Sequence, residues 1–318
     1  MNINIKEFTR KRPVIFSDVD GTIYRHFKLL ESTKQDVLHA VIKAKSHFNI
    51  CTGNPVKDRM LELVETLKAR YLIGSSGAQI YDVKNKEIIK SWHIDFETTK
   101  KILEVAKINN FQVIFWDNEK YYYLIDDKAS VESIGEYHFT QLDRLNEVGE
   151  KYAGQFIEPV KIEFYSLTNP ETEAGALEMF EHVKHFDNVT MIPTDCNIEI
   201  SPLNVDKGSA IKWMIENIYN QSTEKYDALT LNDVMTIGDS NNDLPMIKIT
   251  HYSYAMANAC KNVLNSATFF TSAVEQNGLG EAVFDYLYRY KNYVKKYLLH
   301  DFHTEEWIDP NENFEFED

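Results

Sequence analysis

Cysteine, surplus positive charge and long apolar runs are all scarce in this sequence. The three cysteines, Cys51, Cys196 and Cys260, are odd in number and far apart, and no two form a CxxC pair. That excludes a disulfide framework and a zinc knuckle and fits a reducing cytoplasm. Lys and Arg total 34 against 49 Asp and Glu, a formal net charge of −15. A surface of this sign excludes a general binder of nucleic acid or of an anionic membrane, while a local cationic pocket stays compatible with it. No stretch approaches the roughly 20 apolar residues that a spanning helix needs, so no membrane span is expected. The N-terminal residues Lys6, Arg10, Lys11 and Arg12 are followed by no apolar segment of the secretory kind, so no signal peptide or anchor is expected. Internal repeats and low-complexity linkers are missing as well.

What is present begins with Val14-Ile15-Phe16-Ser17-Asp18-Val19-Asp20-Gly21-Thr22. An apolar β-branched run after Pro13 reads as a buried strand of a parallel sheet, and polar residues at its carboxyl end lie where open α/β sheets bind ligands. With period 2 along an extended chain, Asp18 and Asp20 are expected to point the same way into one crevice. Two carboxylates so close need a cation or a shared proton.

The following chain repeats the pattern. A helix is expected over Thr33–Ser46, with Ser32 or Thr33 as N-cap and Val37, Leu38, Val41 and Ile42 on one face. A strand over Phe48–Cys51 ends in Thr52-Gly53-Asn54-Pro55, and a helix follows through Met60, Leu61, Val64 and Leu67. A third strand, Tyr71–Ile73, ends in Gly74-Ser75-Ser76-Gly77-Ala78. Strand, polar turn and helix at this spacing predict an α/β fold with a doubly wound, Rossmann-like parallel-sheet core, its turns opening on one edge. The glycines at 74 and 77 do not make GxGxxG, and a strand rather than a helix is expected after them, so a dinucleotide site is set aside.

From about Asp82 strands come in pairs: Gln112–Trp116 with Tyr121–Ile125, then Val160–Tyr165, then Val189–Ile192 with Asn197–Ile200. Helical patterns at Thr98–Ile108 and Glu171–His185 intervene, as in a smaller α+β domain with an antiparallel sheet. Residues 83–200 are therefore expected to be an insertion in a discontinuous core of residues 1–82 and 201–318. Tyr121, Tyr122, Tyr123, Phe115 and Trp116 read as core and hairpin packing rather than a base-stacking platform. The α/β rhythm resumes with Asp206-Lys207-Gly208, a helix over Ala210–Ile218, and the strand Val234–Ile237 running into Gly238-Asp239-Ser240-Asn241-Asn242-Asp243. Edge strands are expected at Tyr254–Ala257 and Ala267–Thr271, and an aromatic-rich helix at Glu281–Tyr297.

Four strand-end or pre-helix turns thus carry the polar chemistry. Asp18, Asp239 and Asp243 offer the hard oxygen ligands that Mg²⁺ prefers. The Thr52 hydroxyl, the Gly53 amide and Lys207 offer donors to phosphoryl oxygens, and Lys207 offsets carboxylate charge. Together they are an inventory for phosphoryl transfer.

In their order these motifs resemble those of the haloacid dehalogenase superfamily of phosphohydrolases, of the Cof type with a large α+β cap inserted after the third strand. Ser76-Gly77-Ala78, Glu199-Ile200-Ser201-Pro202 and Ala255-Met256-Ala257-Asn258-Ala259 are similar too, and the resemblance runs from about Pro13 to Phe284. It implies a Mg²⁺-dependent phosphatase of a small phosphorylated metabolite, such as a sugar phosphate or a phosphorylated cofactor. Asp18 would be nucleophile and metal ligand, and Asp20 acid and base, lending only its backbone carbonyl to the metal. Asp239 would be a further ligand, with Asp243 bound directly or one step removed. Thr52, Gly53, Lys207 and Asn242 would hold the phosphoryl group. A phosphomutase or phosphotransferase, and a catalytically silent phosphate-binding regulator, are compatible with the same motifs. A monomer and a dimer fit equally.

The sequence departs from the family where Asn54 stands in the place of a common Arg, which removes a guanidinium fork. The acidic end, about residues 300–318, also lies outside the resemblance. Its stretch from Asp301 to Asp318 holds eight Asp and Glu and no Lys or Arg, interleaved with Phe302, Trp307, Phe314 and Phe316. This is the composition of a solvated tail, and its aromatics also suit docking. His300 and His303 lie close together near Asp301, but without a helix context they make a poor metal pair.

Overall fold

A computed structural model describes residues 12–26, 28–124, 149–169, 172–194, 197–221 and 228–291. The acidic tail, His300, His303 and Cys196 lie outside the described residues.

Strand β1 (Val14–Ser17) is followed by a small hairpin, β2 (Tyr24–Arg25) and β3 (Lys28–Leu29), then helix α1 (Glu31–Ile42) and strand β4 (His47–Cys51). Helix α2 (Asp58–Thr66) leads to β5 (Tyr71–Gly74), and a second hairpin follows, β6 (Gln79–Asp82) and β7 (Glu87–Ser91). Then come α3 (Phe96–Ile108), β8 (Gln112–Trp116), β9 (Tyr121–Tyr123), β10 (Gly149–Lys151), β11 (Lys161–Tyr165), α4 (Glu173–Val183), β12 (Val189–Pro193) and β13 (Ile198–Pro202). The chain continues through α5 (Lys207–Met214), β14 (Val234–Gly238), α6 (Leu244–Ile247), β15 (Tyr252–Ala255), α7 (Lys261–Ser266), β16 (Phe269–Phe270) and α8 (Gly278–Lys291).

Eight strands form one sheet in the order β16-β15-β14-β1-β4-β5-β6-β7. From β16 to β5 all neighbours are parallel; β6 and β7 add an antiparallel edge. Parallel strands buried on both faces need apolar residues at successive positions, and β1 supplies them. Ile15 packs with Val37, Leu63, Val283 and Tyr286 on the face of α1, α2 and α8. Val14 and Phe16 pack with Ala210, Met214 and Met246 on the face of α5 and α6. The fold is the doubly wound α/β core expected. From β1 the chain first moves to β4 and β5, and after the insertion it returns to β14 on the other side. The switch point therefore lies between β1 and β14, where such sheets open a crevice at their carboxyl ends.

The second sheet has the order β10-β9-β8-β11-β13-β12, antiparallel except for the pair β9 and β10. Helices α3 and α4 cover one face through Ile102, Phe115, Phe164, Met179 and Ile200. Phe115 stacks on Tyr122 at 5.3 Å between centroids, the hairpin packing expected of that aromatic cluster. On the opposite face Ile114, Trp116 and Tyr121 meet Ala78 and Val205 of the larger domain.

Several boundaries differ from the sequence reading. Hairpin β6–β7 continues the larger sheet past residue 82, and β13 keeps the smaller sheet going to Pro202. Hydrogen-bond partners decide sheet membership here, and local composition does not show them. Helix α1 begins at Glu31, so Thr33 is not its cap; the Thr33 hydroxyl instead donates to Asn277 Oδ1 at 2.8 Å. Strand β15 sits inside the sheet, with β16 at the edge. Helix α5 starts at Lys207 and passes into a wider π turn over Ile215–Tyr219.

Candidate active site

The ends of β1, β4 and β14 converge on a cavity of about 570 Å³, roofed from the smaller sheet by Trp116, Glu163, Asn197 and Glu199. Asp18 and Asp20 both line it, but they lie beyond the end of β1. They share one crevice as expected, although the chain bends at Val19 and has left the regular strand there. Gly21 turns it at φ +88°, and a Cβ at this position would run into the Asp239 carboxylate. The carboxylates consequently have different partners. Asp18 is buried and accepts from Lys207 Nζ at 2.7 Å. Asp20 is half exposed and accepts from Asn54 Nδ2 at 2.7 Å, with the Arg59 guanidinium 3.5 Å away.

Lys207 reaches Asp18 because α5 begins there. Asp206 caps the helix by accepting from the Ser209 amide, and Ser209 Oγ accepts from the Asp206 amide, a reciprocal capping box. From this first turn the ammonium, wholly buried, also donates to Asp243 Oδ1 at 2.6 Å and to Asn242 Oδ1 at 3.4 Å. The other Asp243 oxygen accepts from the Asp239 and Ser240 amides at 2.9 and 3.0 Å. Asp243 thus ties Lys207 to the turn after β14. Thr52 is buried after β4, its hydroxyl accepting from the Asn54 amide at 3.1 Å.

Ligand oxygens of Asp18, Asp239 and Asp243 all lie within 4.8 Å of one another. Asp239 Oδ1 is enclosed and has no hydrogen-bond partner. An enclosed carboxylate oxygen without a donor, among acidic groups that outnumber their one ammonium, is a fit for a hard divalent cation. Asp20 contributes no side-chain atom to this group. Without a cation, the protons respond. Burial first, and then the Asp243 charge, push the Asp18 carboxyl up to about 7 despite Lys207. Burial and the Asp18 and Asp243 charges likewise hold Asp239 well above its usual range. Burial opposes the Lys207 ammonium, but Asp18 and Asp243 outweigh it and keep it charged well above 10.5.

A pH-dependent stability follows for protein stripped of divalent cations. The folded chain holds a proton on Asp18 up to about pH 7, whereas the unfolded chain releases it near 3.8. The folded state binds more protons over that interval, so its stability falls as pH rises through it and levels off above about 7. Between pH 5 and pH 8 the loss from Asp18 is about 3 kcal/mol. Thermal denaturation with chelator should show the decline, and Asp18→Asn should flatten it. Saturating Mg²⁺ should raise the melting temperature more at pH 8 than at pH 5.

Sequence reasoning missed Arg59 altogether and gave Asn54 and Asn258 no partner in the site. Arg59 offers no motif, and its place near Asp20 depends on how α2 packs. The Asn54 amide takes up the Asp20 carboxylate where the missing guanidinium would have been a candidate partner. Asn258 Nδ2, inside a stretch noted only for its resemblance, donates to the Gly21 carbonyl at 2.8 Å and holds the first turn.

The family profile described as haloacid dehalogenase-like hydrolase matches residues 15–283. The 5-amino-6-(5-phospho-D-ribitylamino)uracil phosphatase of Bacillus subtilis is 23% identical over 276 residues, covering 85% of this chain and 94% of its own. A phosphatase of the haloalkanoate enzyme superfamily from Bacteroides thetaiotaomicron has a similar structure, with TM-score 0.67 and 21% identity over 90% of this chain and 99% of that one. A sugar phosphatase of haloacid dehalogenase subclass IIB gives TM-score 0.68 at 18% identity, covering 85% of this chain and 97% of that one. These two structures share the fold, and the profile match spans both sheets. The chain belongs to the haloacid dehalogenase-like hydrolase family.

Proposed function

We propose that the protein is a Mg²⁺-dependent phosphatase of a small phosphorylated metabolite, a sugar phosphate or a phosphorylated cofactor, acting through an aspartyl-phosphate on Asp18. The observation that carries this reading is the buried Asp18 carboxylate, held by Lys207 next to the partnerless oxygen of Asp239 at a cavity between the two sheets. A cavity of about 570 Å³ suits a small molecule. The names of two relatives, a phosphatase of a phosphorylated ribityl compound and a sugar phosphatase, point the same way.

Asp18, Asp239 and the Asp20 backbone carbonyl would hold the cation, with Asp243 fixing the turn and Lys207. When bound, the cation supplies charge neutralisation for the carboxylates and for the phosphoryl oxygens. Asp18 attacks phosphorus as the ester bond breaks, and Asp20 gives its proton to the leaving oxygen. Asp20 then takes a proton from the water that attacks the aspartyl-phosphate, releasing phosphate and restoring Asp18. Asn54 and Arg59 hold the Asp20 carboxylate on the open side of the cavity, apart from the acidic cluster. Thr52, the Gly53 amide, Asn242 and Lys207 hold the phosphoryl oxygens. The second sheet is read as the cap, covering the leaving group with Trp116, Ile114 and Asn197. The scattered cysteines fit a cytoplasmic enzyme.

A panel of phosphate esters assayed with Mg²⁺ and with chelator tests the reading. Phosphate release from sugar phosphates or related small esters, lost with chelator and regained with Mg²⁺, is expected. Equal release with and without the cation, or release from no ester, overturns it.

A further inference from the structure

Between the two sheets lies a second buried charge cluster, distinct from the Asp18 group. Lys161, at the start of β11, is wholly buried and belongs to the smaller sheet. Its ammonium lies 2.6 Å from Glu163 Oε1 and 3.1 Å from Glu199 Oε2. It also crosses to the larger domain, donating to the Gly53 carbonyl at 3.0 Å. Glu199 makes the crossing too: it accepts from Ser76 Oγ and, at 3.2 Å, from Asn242 Nδ2. A third crossing is made by Trp116, whose indole donates to Ser75 Oγ at 2.8 Å. Burial alone would raise the Glu199 carboxyl; Lys161, Ser76 and Lys207 overcome this and hold it below its usual range.

The recipients of these contacts are informative. Gly53 follows Thr52 in the turn that would bind phosphate, and Asn242 also faces Lys207. Ser75 and Ser76 both have positive φ, 53° and 54°, a strained conformation for residues with a Cβ. Such a turn persists only where its surroundings hold it, and here the hydroxyls of both serines are held from the smaller sheet. The Ser76 amide in turn donates to the Thr52 carbonyl at 3.0 Å, linking the strained turn to the phosphate turn. At Gly53 a Cβ would come within 3.2 Å of Lys161 Nζ and 3.1 Å of Glu199 Oε1, so the cluster sits hard against that backbone.

We infer that Lys161 is a positioning residue for phosphoryl transfer: it orients the Gly53 peptide directly and Asn242 through Glu199, so that seating of the smaller domain completes the phosphoryl-binding turns. The inference rests on the phosphatase reading of the site. Lys161 does not touch the reacting atoms. It acts on groups that do, and a misplacement of the order of 1 Å in such groups can cost about 100-fold in rate.

The test uses the full chain with Mg²⁺ and the variants Lys161→Met, Ser76→Ala and their combination. Steady-state turnover of p-nitrophenyl phosphate gives kcat and KM, calorimetric titration gives the dissociation constant of orthovanadate, and thermal denaturation reports folding. Folded Lys161→Met is expected to lose about 10- to 100-fold in kcat, more than any change in KM, and to bind orthovanadate more weakly by a similar factor. Ser76→Ala should weaken orthovanadate less, and should add little in the Lys161→Met background, because both act through Glu199. A folded Lys161→Met variant within twofold of wild type in kcat and orthovanadate affinity overturns the inference. So does full independence of the two substitutions. If Lys161→Met does not fold, Lys161→Arg keeps the charge but not the single donor aimed at Gly53; weakened orthovanadate binding then supports the inference and wild-type binding overturns it. Wild-type protein that binds orthovanadate but hydrolyses no ester overturns the phosphatase reading separately.

Discussion

Asp18→Asn is expected to lower kcat for every phosphate ester by at least about 10³-fold while leaving the protein folded. The amide has the same shape as the carboxylate but is a poor nucleophile, so no aspartyl-phosphate forms. The fold does not depend on the lost charge. Asp18 is pushed up to about 7 because its charged form is disfavoured by burial and by Asp243. Lys207 keeps its bond to Asp243 at 2.6 Å after the substitution. Cation-free Asp18→Asn protein should therefore melt at pH 8 no lower than wild type. Steady-state phosphate release with parallel thermal denaturation checks both halves. A variant retaining a tenth or more of wild-type turnover would remove Asp18 from the nucleophile's role. Asp20→Asn makes a useful contrast. It should impair alkyl phosphates, whose leaving oxygen needs a proton, far more than p-nitrophenyl phosphate, whose leaving oxygen does not.

Lys207→Met should abolish turnover and also destabilise the protein, which separates it from Asp18→Asn. The ammonium is wholly buried between two carboxylates at 2.7 and 2.6 Å. Removing one partner of such a buried arrangement leaves uncompensated charge and costs about 3–5 kcal/mol. For a chain of this size that is a fall in melting temperature of about 4–8 °C. The fall should be larger at pH 8 than at pH 5 in cation-free protein, since near pH 5 Asp18 is already protonated and needs the ammonium less. Adding Asp243→Asn to Lys207→Met should recover part of the stability and none of the activity. An active Lys207→Met variant, or one as stable as wild type at pH 8, contradicts the arrangement described here.

The residues that could be read without coordinates share one property: their signal is local. An apolar run before Asp18, a glycine after Asp20 and a polar turn after the strand ending at Ile237 each lie within a few residues. The α/β rhythm and the parallel core follow from such signals, as does the phosphoryl-transfer inventory of Asp18, Thr52, Lys207, Asp239 and Asp243. Even the wrong boundaries have this origin. Hairpin β6–β7 looks like the start of a new domain because pairing with β5, and not its composition, assigns it to the larger sheet.

Tertiary structure decided which of these groups meet and in what state. Lys207 and Asp18 are 189 residues apart, and only the return of the chain to β14 beside β1 brings α5 to the switch point. The sequence pairs Asp18 with Asp20 in one crevice, and packing gives them different partners, Lys207 for one and Asn54 and Arg59 for the other. Lys161 carries no motif at all; its contact with Gly53 spans 108 residues and exists because one sheet lies across the end of the other. Sequence by itself determined the chemical groups and the elements that bear them, because propensity, periodicity and turn chemistry act over a few residues. Their partners, burial and ionisation were left to the fold, because a pKa or an ion pair is set by whatever lies within a few ångströms in space, however distant along the chain.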